Sequence, residues 1–282
     1  MIESDDQFDI AIIDADSILY QIAYMQPSPA LCRKALDDKL KEIMTNTGSI
    51  NGAIFIKGKD NFRYQVDAAY KGNRKDNIEP EVKDRIDDLY EYCKEFGIQS
   101  DGGEADDYCG IAAELALQDN KRYIVCHIDK DLDCIPGWHY HFRKDTLYYV
   151  EPEDGYRFLM MQILTGDATD NIQGLRGVGP KTAEKLINGV PNNLLWSKVI
   201  DIWKEKCGDN WEPFFLKCAN CIYIRESDED LKPLSFEELK ERLSWKTTDT
   251  GLPSQTDQTT PSDSSMQSLD QLEDNTSEES NS

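Results

Sequence analysis

The chain has 282 residues, 39% of them hydrophobic, enough to bury one substantial core or a core with a helical appendage, which excludes a miniature scaffold held by staples. Its first residues, MIESDDQF, are acidic and lack the basic and apolar regions of a signal peptide, and no apolar run approaches bilayer length, so a soluble, cytoplasmic protein without a membrane partner is expected. A formal charge of -23 argues at first against nucleic acid, whose binding domains carry a basic footprint.

The distribution of charge alters that reading. Residues 247 to 282 hold eight acids and no lysine or arginine in a run of Ser, Thr, Asp, Gln and Asn, the composition of a disordered acidic tail. Such a tail either keeps the chain in solution or imitates phosphate in a DNA groove. Without it, residues 1 to 246 still carry 15 more acids than bases, and these need another account. Eight cysteines at irregular spacings, with no secretion signal, read as free thiols. Cys218 and Cys221 form the only CxxC, and with no histidine after His141 a zinc site there lacks a fourth ligand.

In chain order, "FDIAIID" from Phe8 to Asp14 is a short β-branched run of the kind that forms a buried parallel strand. A helical period follows at Leu36, Leu40, Ile43 and Met44, then a second strand in "GAIFIKGKD" from Gly52 to Asp60. Val82, Ile86, Leu89 and Cys93 mark a helix entered through Pro80, and Ala105, Tyr108, Ile111, Ala112 and Leu115 mark the next. A third strand lies in "RYIVCHIDKD", from Arg122 to Asp131. This alternation predicts an α/β domain with a mostly parallel sheet over residues 1–155. A helical region spans 156–246, marked by Ala183, Leu186 and Ile187 and by Trp196, Val199, Ile200 and Trp203.

Open parallel sheets bind ligands beyond the carboxyl ends of their strands. That edge would collect Asp14, Asp129 and Asp131, joined by Glu104, Asp106 and Asp107 of "GGEADD" and by Asp167 and Asp170 of "LTGDATDN". Acids are common in a helix's first turn, so one cluster alone decides nothing. Several on one edge would be costly, because unit charges about 4 Å apart repel by about 4 kcal/mol at an effective dielectric of 20. Either the acids are dispersed or they bind metal. Oxygen-only ligand sets select Mg²⁺ or Mn²⁺, and a cluster of this size suits two ions about 4 Å apart, the spacing used for phosphodiester hydrolysis.

Two segments offer the opposite charge. From Lys57 to Lys75 six lysines or arginines outnumber Asp60 and Asp67, so that Lys71 and Arg74 could hold a scissile phosphate and Tyr70 could stack on a base. "GLRGVGPKTAEKLI" places Gly177, Val178 and Gly179 in a tight turn ahead of Pro180, with Lys181 and Lys185 in the helix behind it, a surface suited to gripping a nucleic-acid backbone.

The order DxD, YKGNR, GGEADD, DKDLDCIPGWHY and LTGDATDN followed by GLRGVGPKTAEKLI resembles the 5′-to-3′ exonuclease and flap endonuclease superfamily, most closely its bacteriophage-type members, over about residues 8 to 190. The resemblance implies a PIN-like α/β fold with a helix-three-turn-helix element, two Mg²⁺ ions and a DNA substrate. It implies a first metal surrounded by Asp14, Glu104, Asp106, Asp107 and Asp129, and a second held with the help of Asp131, Asp167 and Asp170. Lys71 and Arg74 would contact the reacting phosphate, and the Gly177, Val178 and Gly179 hairpin would bind duplex backbone with K⁺ on its carbonyls. Relatives also degrade RNA in RNA-DNA hybrids, so that substrate stays open, as does a DNA-structure-binding protein that has lost turnover; in either case a monomer is expected. One departure is visible: many relatives carry an aspartate at the end of strand two, where this chain has Ile56 and Lys57. Asp16, Asp133, His127, His139 and His141 receive no role, and the three histidines are read as hydrogen-bonded structural residues.

Overall fold

A computed structural model describes residues 7–74 and 78–245. The expected tail at 247–282 and Lys75 lie outside the described residues. Six strands form the main sheet in the order β3-β2-β1-β4-β5-β6, where β1 is Ile10–Asp14, β2 Asn51–Lys57, β3 Ile98–Ser100, β4 Tyr123–His127, β5 Gly137–His141 and β6 Thr146–Val150. All neighbours are parallel except β5 and β6. Side chains of the central strands alternate between two cores. Ala11 and Ile13 of β1 and Ile124 and Cys126 of β4 face one core, while Ile12, Tyr123 and Val125 face the other. Both faces are thus buried, which explains why these strands read as continuous apolar runs rather than as alternation.

The first core is covered by α1 (Asp16–Met25), α2 (Pro29–Thr47) and α4 (Pro80–Cys93), the second chiefly by α5 (Ala105–Gln118). Between β2 and α4 a single-turn helix, α3 (Arg63–Val66), leads into the YKGNR turn. After β6 come α6 (Pro152–Thr165), a two-residue hairpin of β7 (Gly166–Asp167) and β8 (Ile172–Gln173), then α7 (Pro180–Ile187), α8 (Asn192–Cys207), α9 (Trp211–Ile222) and α10 (Phe236–Leu243). These elements enclose a third core built around Leu159, Met160, Ile163, Trp196, Trp203 and Phe215, into which Tyr70 also reaches. The predicted passage from sheet to helices near residue 155 falls at α6, and residues through Trp245 cluster as one unit. No described helix is long and apolar enough to cross a membrane.

The connections place the functional edge. From β1 the chain moves outward through β2 and β3, then returns to the other side of β1 to lay down β4 and β5. The reversal lies between β1 and β4, and at such a switch point the loops beyond the strand ends diverge and leave a crevice. Asp14 closes β1, and Asp129 follows β4 by two residues.

Candidate functional site

Asp14 is 5% exposed at the end of β1, and its Oδ1 accepts the Asp16 backbone N–H at 3.3 Å. Burial, then the negative charges of Asp16, Asp129 and Glu104, push its carboxyl up to about 7. Asp106, in the first turn of α5, is driven well above the usual carboxylate range by burial and by Asp14, Asp129 and Glu104. Asp131 rises to about 6 through burial and the charge of Asp129, with Asp167 adding to it. Asp129 acts on all three, so a single carboxylate joins an Asp14, Glu104, Asp106 group to an Asp131, Asp167 group. The fold therefore gathers carboxylates that make one another costly to ionise, and a hard divalent cation among them removes that cost. The oxygen-only donor chemistry fits such an ion, although among the described residues no three of these carboxylates bring ligand atoms within 4.8 Å of one another.

Asp107 does not belong to this set. It is fully buried, and both of its oxygens accept from Arg63, Nη1 to Oδ2 at 2.5 Å and Nη2 to Oδ1 at 2.8 Å. The backbone N–H groups of Glu104 and Arg225 occupy the same oxygens at 2.9 and 3.0 Å. Burial alone would raise its carboxyl, but the charge and hydrogen bonds of Arg63 outweigh that and hold it below the usual range. With its oxygens already taken, Asp107 caps α5 in a reciprocal box with Glu104 and anchors Arg63, which also donates to the carbonyls of Cys221 and Tyr223 at the end of α9. Sequence spacing alone does not separate Asp106 from Asp107. The separation comes from helix phase, which turns one toward the edge and the other into the protein.

The segment expected to bind anions lies directly over the acids. Lys71 Nζ pairs with Glu104 Oε1 at 2.5 Å and approaches Asp170 Oδ2 at 3.5 Å, and Arg74 pairs with Asp170 Oδ1. Tyr70 departs from its expected role. It is 3% exposed, its ring meets Tyr64 edge-on, and its hydroxyl donates to Glu104 at 2.8 Å and Asp170 at 3.2 Å, so it is a strut between two acids rather than an open stacking platform. The backbones of the two motifs are also stapled together. Lys71 N–H donates to the Asp170 carbonyl at 2.9 Å, Asn171 Nδ2 to the Ala69 carbonyl at 2.7 Å and Asn73 Nδ2 to the Ala168 carbonyl at 2.8 Å. Lys71 and Asn171 both adopt left-handed φ, at 54° and 58°, to allow this.

The Asp167–Asp170 turn is held from behind by a tight backbone crossing. A Cβ on Gly166, whose φ is 65°, would lie 2.3 Å from both Gly174 N and the Ile172 carbonyl oxygen. Further on, Gly177 has φ 78° with open space beside it, Gly179 and Lys181 are exposed, and Lys185 is exposed one turn later. Val178 instead points inward at 6% exposure and pins the turn to the helical core.

Asp16 is one of the residues that the sequence left without a role. Its Oδ1 accepts the Lys57 backbone N–H at 2.9 Å and the Tyr90 hydroxyl at 2.9 Å, which puts its carboxylate at the end of β2, where the resemblance led to an expected aspartate. The DxD spacing was the available signal. Lys57 turns its ammonium onto the Tyr90 ring, 4.5 Å from the centroid. The two thiols of the CxxC are buried in α9, and Cys218 Sγ lies 3.4 Å from the Ile163 carbonyl.

No family model matches the chain. It is 32% identical over 161 residues to DNA polymerase I of Bacillus caldotenax, covering 51% of this chain and 18% of that protein. It is 33% identical over 155 residues to a 5′-3′ exonuclease of Buchnera aphidicola, covering 49% of this chain and 52% of that protein. The match thus spans about half, or less, of the length of these curated relatives. Among solved structures, the 5′-exonuclease of T5 with divalent zinc ions bound aligns with a TM-score of 0.61 at 16% identity, covering 84% of this chain and 98% of that one. The bacteriophage T5 flap endonuclease in a pseudo-enzyme-product complex with DNA and metal ions aligns at 0.55 and 16% identity, covering 83% and 97%. The fold is that of the T5 5′-exonuclease. The resemblance to the 5′-to-3′ exonuclease and flap endonuclease superfamily, read from the motifs, is matched in fold and in sequence.

Proposed function

We propose that the chain is a divalent-metal-dependent 5′-nuclease that hydrolyses DNA phosphodiesters near a 5′ end, nick or flap. The observation that carries the reading is the stapling of the Lys71 and Arg74 turn onto the Asp170 turn, directly over Glu104 and beside Asp14, Asp106 and Asp129. Cation-seeking and phosphate-seeking groups are thereby fixed within reach of one another, as hydrolysis of an anionic ester requires. Asp14, Glu104, Asp106 and Asp129 would hold one Mg²⁺, with Asp16 adding negative charge from the end of β2. Asp131, Asp167 and Asp170 would help hold another, with Mn²⁺ as a substitute. Bound there, such ions supply an activated water and neutralise charge on the leaving oxygen. Lys71 and Arg74 orient the phosphate and stabilise its added negative charge. Gly177, Gly179, Lys181 and Lys185 hold duplex backbone without reading sequence, with K⁺ on the turn's carbonyls.

The curated relative described as a 5′-3′ exonuclease and the T5 enzyme solved with DNA and metal ions support this assignment. The proposal includes a monomer working in the cytoplasm, of the host if the chain is viral. Cleavage of a 5′ flap, a nicked duplex and an RNA-DNA hybrid, each with Mg²⁺ and with EDTA, tests it. Metal-dependent cutting of the flap or nick is expected. Cutting of the hybrid alone would move the assignment to RNA removal, and cleavage unaffected by EDTA would refute the metal site.

A further inference from the structure

A second cluster, behind the acidic edge, has an unusual proton count. His127 closes β4, His139 lies in β5, Tyr148 in β6, and Asp133 in the short helical turn at 130–134. Strand alternation puts both histidines on the sheet face shared by Val125, and both are at most 1% exposed. His127 Nδ1 lies 2.5 Å from the Asp129 carbonyl oxygen, and His139 Nε2 lies 2.8 Å from the Ile135 carbonyl oxygen. A carbonyl offers no proton, so each of these ring nitrogens must carry the hydrogen. The remaining nitrogens, His127 Nε2 and His139 Nδ1, are therefore both bare lone pairs in the neutral rings, and they face each other at 2.7 Å.

Among the described residues one side-chain hydroxyl reaches these acceptors. Tyr148 donates its hydroxyl to Asp133 Oδ1 at 2.6 Å and sits 3.2 Å from His127 Nε2, and its ring stacks on His139. Asp133 Oδ1 is 3.8 Å from His127 Nε2. Three acceptors, from His127, His139 and Asp133, thus lie within 4.8 Å of one another, and the Tyr148 hydroxyl hydrogen goes to Asp133, leaving the two facing ring nitrogens without it. Facing lone pairs repel unless a cation lies between them. A cleft of about 300 Å³ leads in from solvent past Lys130, His141 and Lys144.

We propose that His127 Nε2, His139 Nδ1 and an Asp133 carboxylate oxygen form a binding site for a borderline transition-metal dication, Zn²⁺ in the first instance, separate from the carboxylate cluster. Two imidazoles and one carboxylate select zinc over magnesium, and a carbonyl bonded to the far nitrogen of each ligating histidine is the usual orienting partner. Zinc bonds of about 2.0–2.1 Å in tetrahedral geometry place two ligand nitrogens roughly 3.3 Å apart, so the histidines need separate only slightly, and the cleft leaves a position for water. The ion would tie β4, the turn and β5 together. Because the Asp129 carbonyl fixes His127, the ion would also stiffen the loop that presents Asp129 and Asp131 to the acidic edge.

The test uses the full chain, stripped with chelator and returned to buffer with excess Mg²⁺ so that the carboxylate cluster is occupied. Calorimetric titration with Zn²⁺ is expected to show one equivalent bound, and Co²⁺ to give the visible absorption of a four-coordinate ion without thiolate charge transfer. His139→Gln and the half-buried Asp133→Asn should each weaken uptake by at least about 10-fold, a loss expected when a ligand or its orienting partner is removed. Asp133→Asn keeps the test usable if His139→Gln does not fold. No zinc uptake by folded protein in excess Mg²⁺, uptake unchanged in Asp133→Asn, or a thiolate band with Co²⁺ would each overturn the proposal. In the first case ¹⁵N spectra would show the pair sharing a proton as an imidazolium instead.

Discussion

Replacing Asp14 and Asp107 separately by asparagine should move metal-free stability in opposite directions, and the sign separates a carboxylate kept for a cation from one kept for the fold. Asp14 has its carboxyl raised from 3.8 to about 7, so the folded state holds a proton that the unfolded state releases. For such a group the penalty is absent below pH 3.8, grows through the interval and is complete above about 7. At about 1.4 kcal/mol per pH unit this amounts to about 4 kcal/mol as an upper limit at pH 8. Asp14→Asn retains an oxygen for the Asp16 N–H and removes the charge, so in EDTA at pH 8 it should raise the melting temperature and flatten its fall between pH 4 and 7. Asp107→Asn instead leaves Arg63, 2% exposed, as a buried cation without its partner. Breaking a buried pair this way costs about 3–5 kcal/mol, which for a domain of this size lowers the melting temperature by roughly 10 °C. Thermal melts of both variants in EDTA, and again with Mg²⁺, make the comparison. Added Mg²⁺ should stabilise wild type and Asp107→Asn but barely shift Asp14→Asn. A lower melting temperature for Asp14→Asn in EDTA, or a higher one for Asp107→Asn, would refute the reasoning.

Lys71→Met removes a phosphate contact and also a competitor for Glu104 and Asp170, so single-turnover cleavage should fall by about 10²–10³-fold while Mg²⁺ binding, measured by calorimetry, holds or tightens. Gly177→Ala meets no steric obstacle but forces a left-handed φ on a residue with a Cβ, at a cost of about 1–2 kcal/mol. It should weaken DNA binding in gel-shift assays, and Lys181→Ala and Lys185→Ala should each reduce the salt dependence of that binding by about one ion. Because Asp14 and Asp131 are raised to about 7 and about 6, Mg²⁺ uptake near pH 6 should release protons, detected as a buffer-dependent heat of binding that vanishes above pH 8.

The strands with β-branched runs were legible because burial on both faces of a parallel sheet leaves no alternation to misread, and the helices because their apolar residues recur at helical spacing. Short β3 and the aromatic pair β5 and β6 were missed. "GWHYH" and "TLYYV" lack the aliphatic density of the central strands, and their stability comes from cross-strand contacts such as Tyr148 on His139. Within the site, residue type and rough position could be read, but orientation could not. Asp106 and Asp107 are neighbours in sequence and opposites in environment. Tyr70 was expected to stack on a base, whereas its hydroxyl turns inward to Glu104 and Asp170. Asp16 reaches the end of β2 with its carboxylate, a placement visible only once β1 and β2 lie side by side.

The two electrostatic centres show how differently a fold can hold unfavourable charge. Asp107 is deeply buried yet ionised, because Arg63 and two backbone amides were built around it, and the pair joins α5 to the chain beyond α9. Asp14 has only the Asp16 N–H at 3.3 Å, and neither it nor Asp106 has an ion pair among the described residues. Among the described residues Glu104 and Asp170 are neutralised by Lys71 and Arg74, and Asp131 by the more exposed Lys130, bases that can exchange a carboxylate for a phosphate. A site satisfied entirely from within, like Asp107, would have no reason to bind a cation. A site with no internal neutralisation would threaten the sheet edge that carries it. Leaving Asp14 and Asp106 unpaired while covering Glu104 and Asp170 with exchangeable bases keeps the edge stable enough to fold and still in need of metal, and it places the phosphate-binding groups where a cation's arrival frees them.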